Sequence, residues 1–247
     1  MKLAGRRAIV TGGSRGLGRA IATAFAKEGA RVAITYSRNE DDAQDTLSQL
    51  AQCSPSSEGL AFKGSVADAS HVKDVVNKVV AAWGGVDILV NNAGRMQVLP
   101  LALVEEADWD EVMNVNAKGA FLFSRAVLRH MIKAKNGRIV MIGNFSSERL
   151  IESPVHYAAS KSALRGLVDA LAREVGRYGI TVNMLAPGLM DSGLAKMLPQ
   201  HRINEYLEQA ALSRIASVAD IAAHAVFLAS DEASFVTGAK IAVDGGV

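Results

Sequence analysis

Short β-branched apolar runs alternate along the chain with longer stretches whose apolar residues recur at helical spacing. Ala8–Thr11 reads as a first strand. Residues 16–28 read as a helix with Leu17, Ala20, Ile21, Ala24 and Phe25 on one face, and Gly29 predicts a left-handed stop. Arg31–Tyr36 is a second strand, Asp41–Gln52 a polar helix and Leu60–Phe62 a third strand. Ser70 is expected to cap a helix ending near Trp83, followed by a fourth strand over Val86–Val90. A long helical pattern covers Ala107–Lys133. Strand Arg138–Ile142, helix Val155–Arg177 and strand Thr181–Leu185 follow, then helices near Arg202–Ala211 and Val218–Ala229 and a last strand, Lys240–Val243.

Strands separated by helices pair in parallel through right-handed crossovers, and the unbroken apolar strand runs imply burial on both faces. The expected fold is α/β, a doubly wound parallel sheet of the Rossmann type in three αβα layers. No repeat, low-complexity tract or linker interrupts the pattern, so residues 1–247 are read as a single dinucleotide-binding domain.

Composition narrows the function classes. Hydrophobic residues make up 49% and charged residues 21%, which fits a soluble protein with a sizeable core. The net charge of +2 gives no basic excess to suggest nucleic acid. Cys53 is the only cysteine, and the five histidines have no ligand spacing, so no metal is expected. The N-terminal residues lack an apolar signal segment and no run is long enough to cross a membrane, so a cytoplasmic location is expected.

Two segments carry candidate chemistry. Thr11–Gly18 lies at the first strand–helix junction, where glycines let the backbone turn and approach a pyrophosphate. The helix start offers that anion free N–H groups and a positive dipole end. The second strand ends Tyr36-Ser37-Arg38 with no carboxylate before Glu40, and Arg15 sits in the glycine loop. An acidic residue there would repel a 2′-phosphate and two arginines would attract one, so NADPH is favoured over NADH. Tyr157 and Lys161 lie four residues apart on one helix face. A nearby ammonium lowers a phenol's pKa from roughly 10, which would make Tyr157 a general acid toward a carbonyl oxygen.

The Thr11–Gly18 loop, Asn91-Asn92-Ala93-Gly94, Asn116, Tyr157/Lys161 and Pro187-Gly188 occur in an order that resembles the short-chain dehydrogenase/reductase family. Leu171–Val175 and Val243–Gly246 make the chain most similar to its 3-oxoacyl-acyl-carrier-protein reductases. The resemblance implies that Gly12, Ser14, Arg15, Gly16, Leu17 and Gly18 hold the cofactor phosphates. Tyr36, Ser37, Arg38, Ser65 and Val66 would surround the adenosine end. Asn91, Ala93 and Gly94 would line the ribose path, Lys161 would also hold a ribose, and Pro187, Gly188, Met190 and Ser192 would meet the nicotinamide. Asn116 would bind a water linking Lys161 to solvent. Arg129 and Arg173, with Lys133 and Lys135 nearby, match positions that touch the acidic carrier protein, although solvated helix charges explain them equally. A homotetramer built on the long helices near 107–133 and 155–177 and on the C-terminal strand is implied, as is a substrate lid over Leu189–Tyr206.

One position departs from the family pattern. Asn144 stands where the family places the serine that orients the carbonyl. An asparagine NH2 donates a hydrogen bond and can polarise the carbonyl in its place. Ser146 could supply a hydroxyl instead, or the site could serve another use. His156 is expected at the substrate rim or surface, because neighbours on a helix point apart. Met96, Met190 and Met197 either line an apolar pocket or fill core gaps. The implied activity is NADPH-dependent reduction of a ketone, foremost a 3-oxoacyl thioester. Alternatives are another small carbonyl compound (polyketide, quinone, sugar or pteridine type) or a non-catalytic NADP-binding subunit.

Overall fold

The computed structural model describes residues 1–53, 59–145, 153–192 and 198–247. Seven strands form one parallel sheet in the order β3-β2-β1-β4-β5-β6-β7. They are β1 (Arg7–Val10), β2 (Arg31–Tyr36), β3 (Leu60–Lys63), β4 (Ile88–Asn91), β5 (Gly137–Ile142), β6 (Ile180–Pro187) and β7 (Lys240–Val243). The eight α-helices described are α1 (Gly16–Lys27), α2 (Glu40–Cys53), α3 (Ala69–Trp83), α4 (Glu106–Met113), α5 (Gly119–Ala134), α6 (Val155–Val175), α7 (Gln200–Gln209) and α8 (Val218–Ala229).

Alternate residues of the central strands point into two apolar layers. Val10, Ile34 and Val90 pack with Ile21 and Phe25 of α1 and Ala225 of α8 on one side. Ile9, Leu89 and Ile139 pack with Val76 of α3, Phe123 of α5 and Val168 of α6 on the other. Each layer removes several large side chains from water at about 1.5–3 kcal/mol apiece, the main force holding helices to sheet. The strand order reverses direction between β1 and β4. Their C-terminal ends therefore open the crevice where nucleotides bind in such sheets.

Three expectations need correction. Asp68, not Ser70, caps α3: its carboxylate accepts from the Ser70 backbone N–H and hydroxyl, both at 2.8 Å. The fourth strand starts at Ile88 because the Asp87 carboxylate is clamped by the Arg7 guanidinium at the sheet's opposite end. The helical pattern over Ala107–Lys133 is not one α-helix, since Asn114–Lys118 forms a wider π-turn between α4 and α5. Such turns expose backbone groups and recur at functional sites.

Candidate active site

The glycine loop is shaped by close approach. Gly12 and Gly16 adopt φ of 63° and 55°, in the region only glycine enters freely. A β-carbon on Gly18 would collide with the Gly12 carbonyl and the Asn92 amide. The loop is braced from both neighbours. Asn92 Nδ2 donates to the carbonyls of Thr11 (2.9 Å) and Gly12 (3.1 Å), while Thr11 Oγ1 accepts from the backbone of Asn92 and Ala93, both at 3.0 Å. From α1, Arg19 donates to the Ser14 carbonyl (2.6 Å) and to the Asp42 carbonyl of α2 (2.8 Å). Thr46 donates to the same Ser14 carbonyl at 2.9 Å. Sequence reasoning missed Asn92, Arg19 and Thr46, which hold the loop without standing in its motif.

This cradle fits a dinucleotide pyrophosphate. The N-cap of α1, Arg15, offers no side-chain acceptor to the first helical N–H groups, and the Gly18 position leaves no room for a side chain. Arg15 and Arg38 are both exposed and form no ion pair with any described residue. Glu40, the nearest carboxylate after β2, faces Lys63 at 3.5 Å. Tyr36 is buried at the end of β2, with Ser37 exposed beside it. Val66 packs on Gly119 at the start of α5, and the Ser65 hydroxyl accepts from the Ala67 backbone.

β4 ends at Asn91, whose buried amide donates to Ser124 Oγ at 3.2 Å. Ala93 and Gly94 then run past Lys161, since a β-carbon on Gly94 would lie 3.6 Å from Lys161 Nζ and from Asn116 Oδ1. The side chain of Asn116 joins three elements. Its Oδ1 accepts from Arg95 N (2.7 Å), and its Nδ2 donates to Arg95 O (2.9 Å) and Ser160 Oγ (2.8 Å). Both amide donors are thereby committed. A relay water at Asn116 has to bond to its backbone or to the second lone pair of Oδ1.

The first two turns of α6 carry Tyr157 and Lys161, each 4% exposed. Lys161 Nζ donates to the Ile142 carbonyl at the end of β5 (2.8 Å) and lies 5.8 Å from the Tyr157 ring centroid. Asn144, just past β5, donates from Nδ2 to the Tyr157 hydroxyl at 3.5 Å, the outer limit for such a bond. Tyr157, Lys161, Asn116 and Asn144 are thus brought together, while Ser146, Ser147 and Met197 lie outside the described residues.

The electrostatics reverse one expectation. Burial pushes the Tyr157 phenol up to about 12, and the bond from Asn144 only partly opposes it. Burial also pulls Lys161 down to about 8. The ammonium lies 5.8 Å from the ring centroid and bonds to the Ile142 carbonyl, and burial dominates the phenol's shift. His156 is also not at the surface. It is 0% exposed, on the α6 stripe that includes Ser160 and Leu164, and neither ring nitrogen has a hydrogen-bond partner among the described residues. Helix α6 packs against α4 and the π-turn there, which is why this face is sealed.

On the nicotinamide side, Pro187 ends β6 and the Gly188 N–H donates to the Val243 carbonyl at 3.0 Å. Met190 pairs in a bridge with Ala216, and the Ser192 hydroxyl is buried without a partner among the described residues. The expected lid, Leu189–Tyr206, is described outside 193–197 and ends within α7.

A family model described as Enoyl-(Acyl carrier protein) reductase matches residues 12–247. The chain belongs to the short-chain dehydrogenase/reductase family. It is 37% identical to a 3-oxoacyl-[acyl-carrier-protein] reductase of Escherichia coli over 247 residues, covering 100% of this chain and 99% of that relative. A short-chain dehydrogenase/reductase from Serratia marcescens superposes with a TM-score of 0.92 at 36% identity, covering 100% of this chain and 99% of that one. Levodione reductase superposes with a TM-score of 0.94 at 30% identity, covering 99% and 98% of the two chains. This family member is an oxidoreductase that uses a nicotinamide cofactor. No helix among the described residues is long and apolar enough to cross a membrane, and no described cluster of His, Cys, Asp or Glu could hold a metal ion.

Proposed function

We propose that this enzyme reduces a ketone to an alcohol with NADPH, and that a 3-oxoacyl thioester is its principal substrate. The carrying observation is the grouping of Tyr157, Lys161, Asn116 and Asn144 at the C-terminal ends of the strands. With Tyr157 pushed up to about 12 and Lys161 pulled down only to about 8, a neutral solution leaves the proton on the phenol and the charge on the amine. The phenol therefore holds a proton to give, and burial makes it a weaker acid than a free phenol until the charge left behind is stabilised. A bound nicotinamide would supply the hydride, and Tyr157 would deliver its hydroxyl proton to the carbonyl oxygen. Lys161 then faces the nascent phenolate as a cation, and Asn144 donates from Nδ2 toward the developing oxyanion in place of a serine. Reprotonation of Tyr157 proceeds through Lys161 and a water held at Asn116.

The preference for NADPH rests on Arg15 and Arg38, exposed and unpaired among the described residues, while Glu40 is turned to Lys63. A 2′-phosphate suits two free guanidinium groups. Support for the acyl thioester comes from the name of the Escherichia coli relative and from the exposed Arg129, Lys133, Lys135 and Arg173, a basic surface for an acidic carrier protein. Arg129 is held toward Asn77 Oδ1 (3.0 Å) and His130 Nε2 (2.9 Å), and burial with the neighbouring cations keeps His130 neutral as that acceptor. Carrier binding unaffected by Arg129→Glu with Arg173→Glu removes the carrier surface from the proposal.

Assembly as a homotetramer is proposed through α5 and α6. Their outer faces present grooves of about 270 and 410 Å³ lined by Phe121, Leu128, Leu167 and Ala170. Neither groove touches Tyr157, and Phe121 stands 42% exposed at their junction. Asn144 favours a second reading, reduction of a differently shaped ketone, since an amide reaches further than a hydroxyl. Following NADPH consumption with an acetoacetyl thioester and a panel of cyclic and acyclic ketones separates the two. Tight NADPH binding with no turnover on any ketone would replace both with a dinucleotide-binding subunit.

A further inference from the structure

The geometry points to Tyr206 as a positioning residue that ties α7 to both walls of the reactive cleft. This inference rests on the reductase reading above. Tyr206 lies in the second turn of α7, and its hydroxyl donates to the Asp244 carbonyl just beyond β7 at 2.6 Å. The neighbouring carbonyl, that of Val243, accepts from the Gly188 N–H at 3.0 Å. Gly188 is therefore held through its amide by the end of β7 and is covered by the phenol that bonds to the same end.

The need for glycine at 188 supports this coupling. Gly188 is not among the residues with positive φ, so its backbone conformation does not require glycine. Space does: a β-carbon there would run into the Tyr206 hydroxyl and the Asp244 backbone. The turn expected to meet the nicotinamide thus takes its shape partly from a side chain on a distant helix. On the opposite wall, the Tyr206 ring meets Phe145 edge-to-face, with centroids 5.6 Å apart at 85°. Phe145 directly follows Asn144, whose amide donates to the Tyr157 hydroxyl at 3.5 Å. The hydroxyl serves the Pro187–Gly188 side and the ring serves the Asn144 side. A residue that only filled the cluster with Leu189, Ala210 and Val247 would need no hydroxyl.

The two halves are tested with Tyr206→Phe and Tyr206→Leu. Each is measured for NADPH affinity by fluorescence titration, for kcat on the best ketone of the panel, and for Tm. Tyr206→Phe is expected to weaken NADPH about fivefold, the loss of one hydrogen bond, with kcat within about twofold of the parent. Tyr206→Leu is expected to lower kcat more than about tenfold at saturating NADPH, and Phe at the same position restores it. Unchanged NADPH affinity in Tyr206→Phe overturns the hydroxyl half, and unchanged kcat in Tyr206→Leu overturns the ring half, even if Tm falls in both. A parent enzyme that binds NADPH but turns over none of the ketones would sink the reductase reading instead. The affinity comparison would still judge the hydroxyl.

Discussion

At the coenzyme end of the cleft, Asn92, Arg19 and Thr46 bond the Thr11–Gly18 loop from both sides at 2.6–3.1 Å. At the reactive end, one bond of 3.5 Å from Asn144 reaches the Tyr157 hydroxyl. The first region is finished before any ligand arrives, because a phosphate needs backbone N–H groups held in place. The second is held by burial, which keeps the phenol protonated and strains the amine toward neutrality. Binding is set by pre-organised geometry and chemistry by desolvation. Substitutions at the two ends should therefore fail in different ways.

The largest expected effect is Tyr157→Phe. Removing the proton donor should lower kcat by about 10²–10⁴-fold, the usual range for a lost general acid, while NADPH affinity stays near that of the parent. If kcat survives, the phenol is not the donor, and the contrast between the two ends loses its chemical half. Lys161→Met should be nearly as damaging to turnover yet raise stability. The folded pKa of about 8 lies below the ordinary 10.5, so the unfolded chain holds its proton more tightly. The resulting penalty is full below pH 8 and fades as pH rises toward 10.5. At about 1.36 kcal/mol per unit, its removal is worth on the order of 3 kcal/mol near neutrality. Chemical denaturation at pH 7 and pH 10 measures it, and a gain that does not shrink at the higher pH would refute desolvation as the cause. The parent's reduction rate should also decline as pH rises past about 8, where Lys161 loses its charge.

The two ends also differed in how far the sequence could be read. Spacing and position located the glycine loop and β2 with its missing carboxylate, because backbone geometry repeats every turn or pleat, while the Tyr157/Lys161 face gained its meaning from the family order of the motifs around it. α8 and β7 were bounded as observed, since their apolar periodicity is uninterrupted. The π-turn at Asn114–Lys118 was hidden because its residues keep an ordinary helical pattern, and only the extra backbone spacing distinguishes it. The bracing roles of Arg19 and Asn92 were hidden because they reach the loop through its backbone carbonyls, which leave no trace in side-chain identity, even though Asn92 stands in the Asn91–Gly94 motif. The phenol's direction of shift was misjudged for a related reason. Four-residue spacing places the ammonium on the correct face but says nothing of the Ile142 carbonyl that claims it.

Asn144 ranks next among expected effects. Asn144→Ala removes the donor that the described residues place beside the phenol and should lower kcat by about 10²-fold, with Asn144→Ser recovering part of it. Parallel losses in both variants would mean that the reach of the amide, and not only its hydrogen bond, sets the substrate. At the other end, Gly18→Ala forces a β-carbon against the Gly12 carbonyl. It should weaken NADPH about tenfold or more while leaving kcat at saturation little changed. A matching fall in kcat would show that the two ends are mechanically one.

The smallest expected effect is the coenzyme preference of Arg15→Ala and Arg38→Ala. Both guanidinium groups are exposed, so water screens each one, and a single charge-assisted bond to a phosphate contributes about 1.5–3 kcal/mol at most. Each substitution should weaken NADPH about tenfold and leave NADH affinity unaltered, because NADH lacks the phosphate that the arginines would meet. The double variant should add the two losses only if both cations touch the phosphate independently. Raising ionic strength should erode the parent's preference for NADPH and leave the double variant's preference flat. If NADH binding falls in step with NADPH, the arginines shape the loop instead of reading the 2′ position. The fully braced coenzyme end would then discriminate by backbone alone.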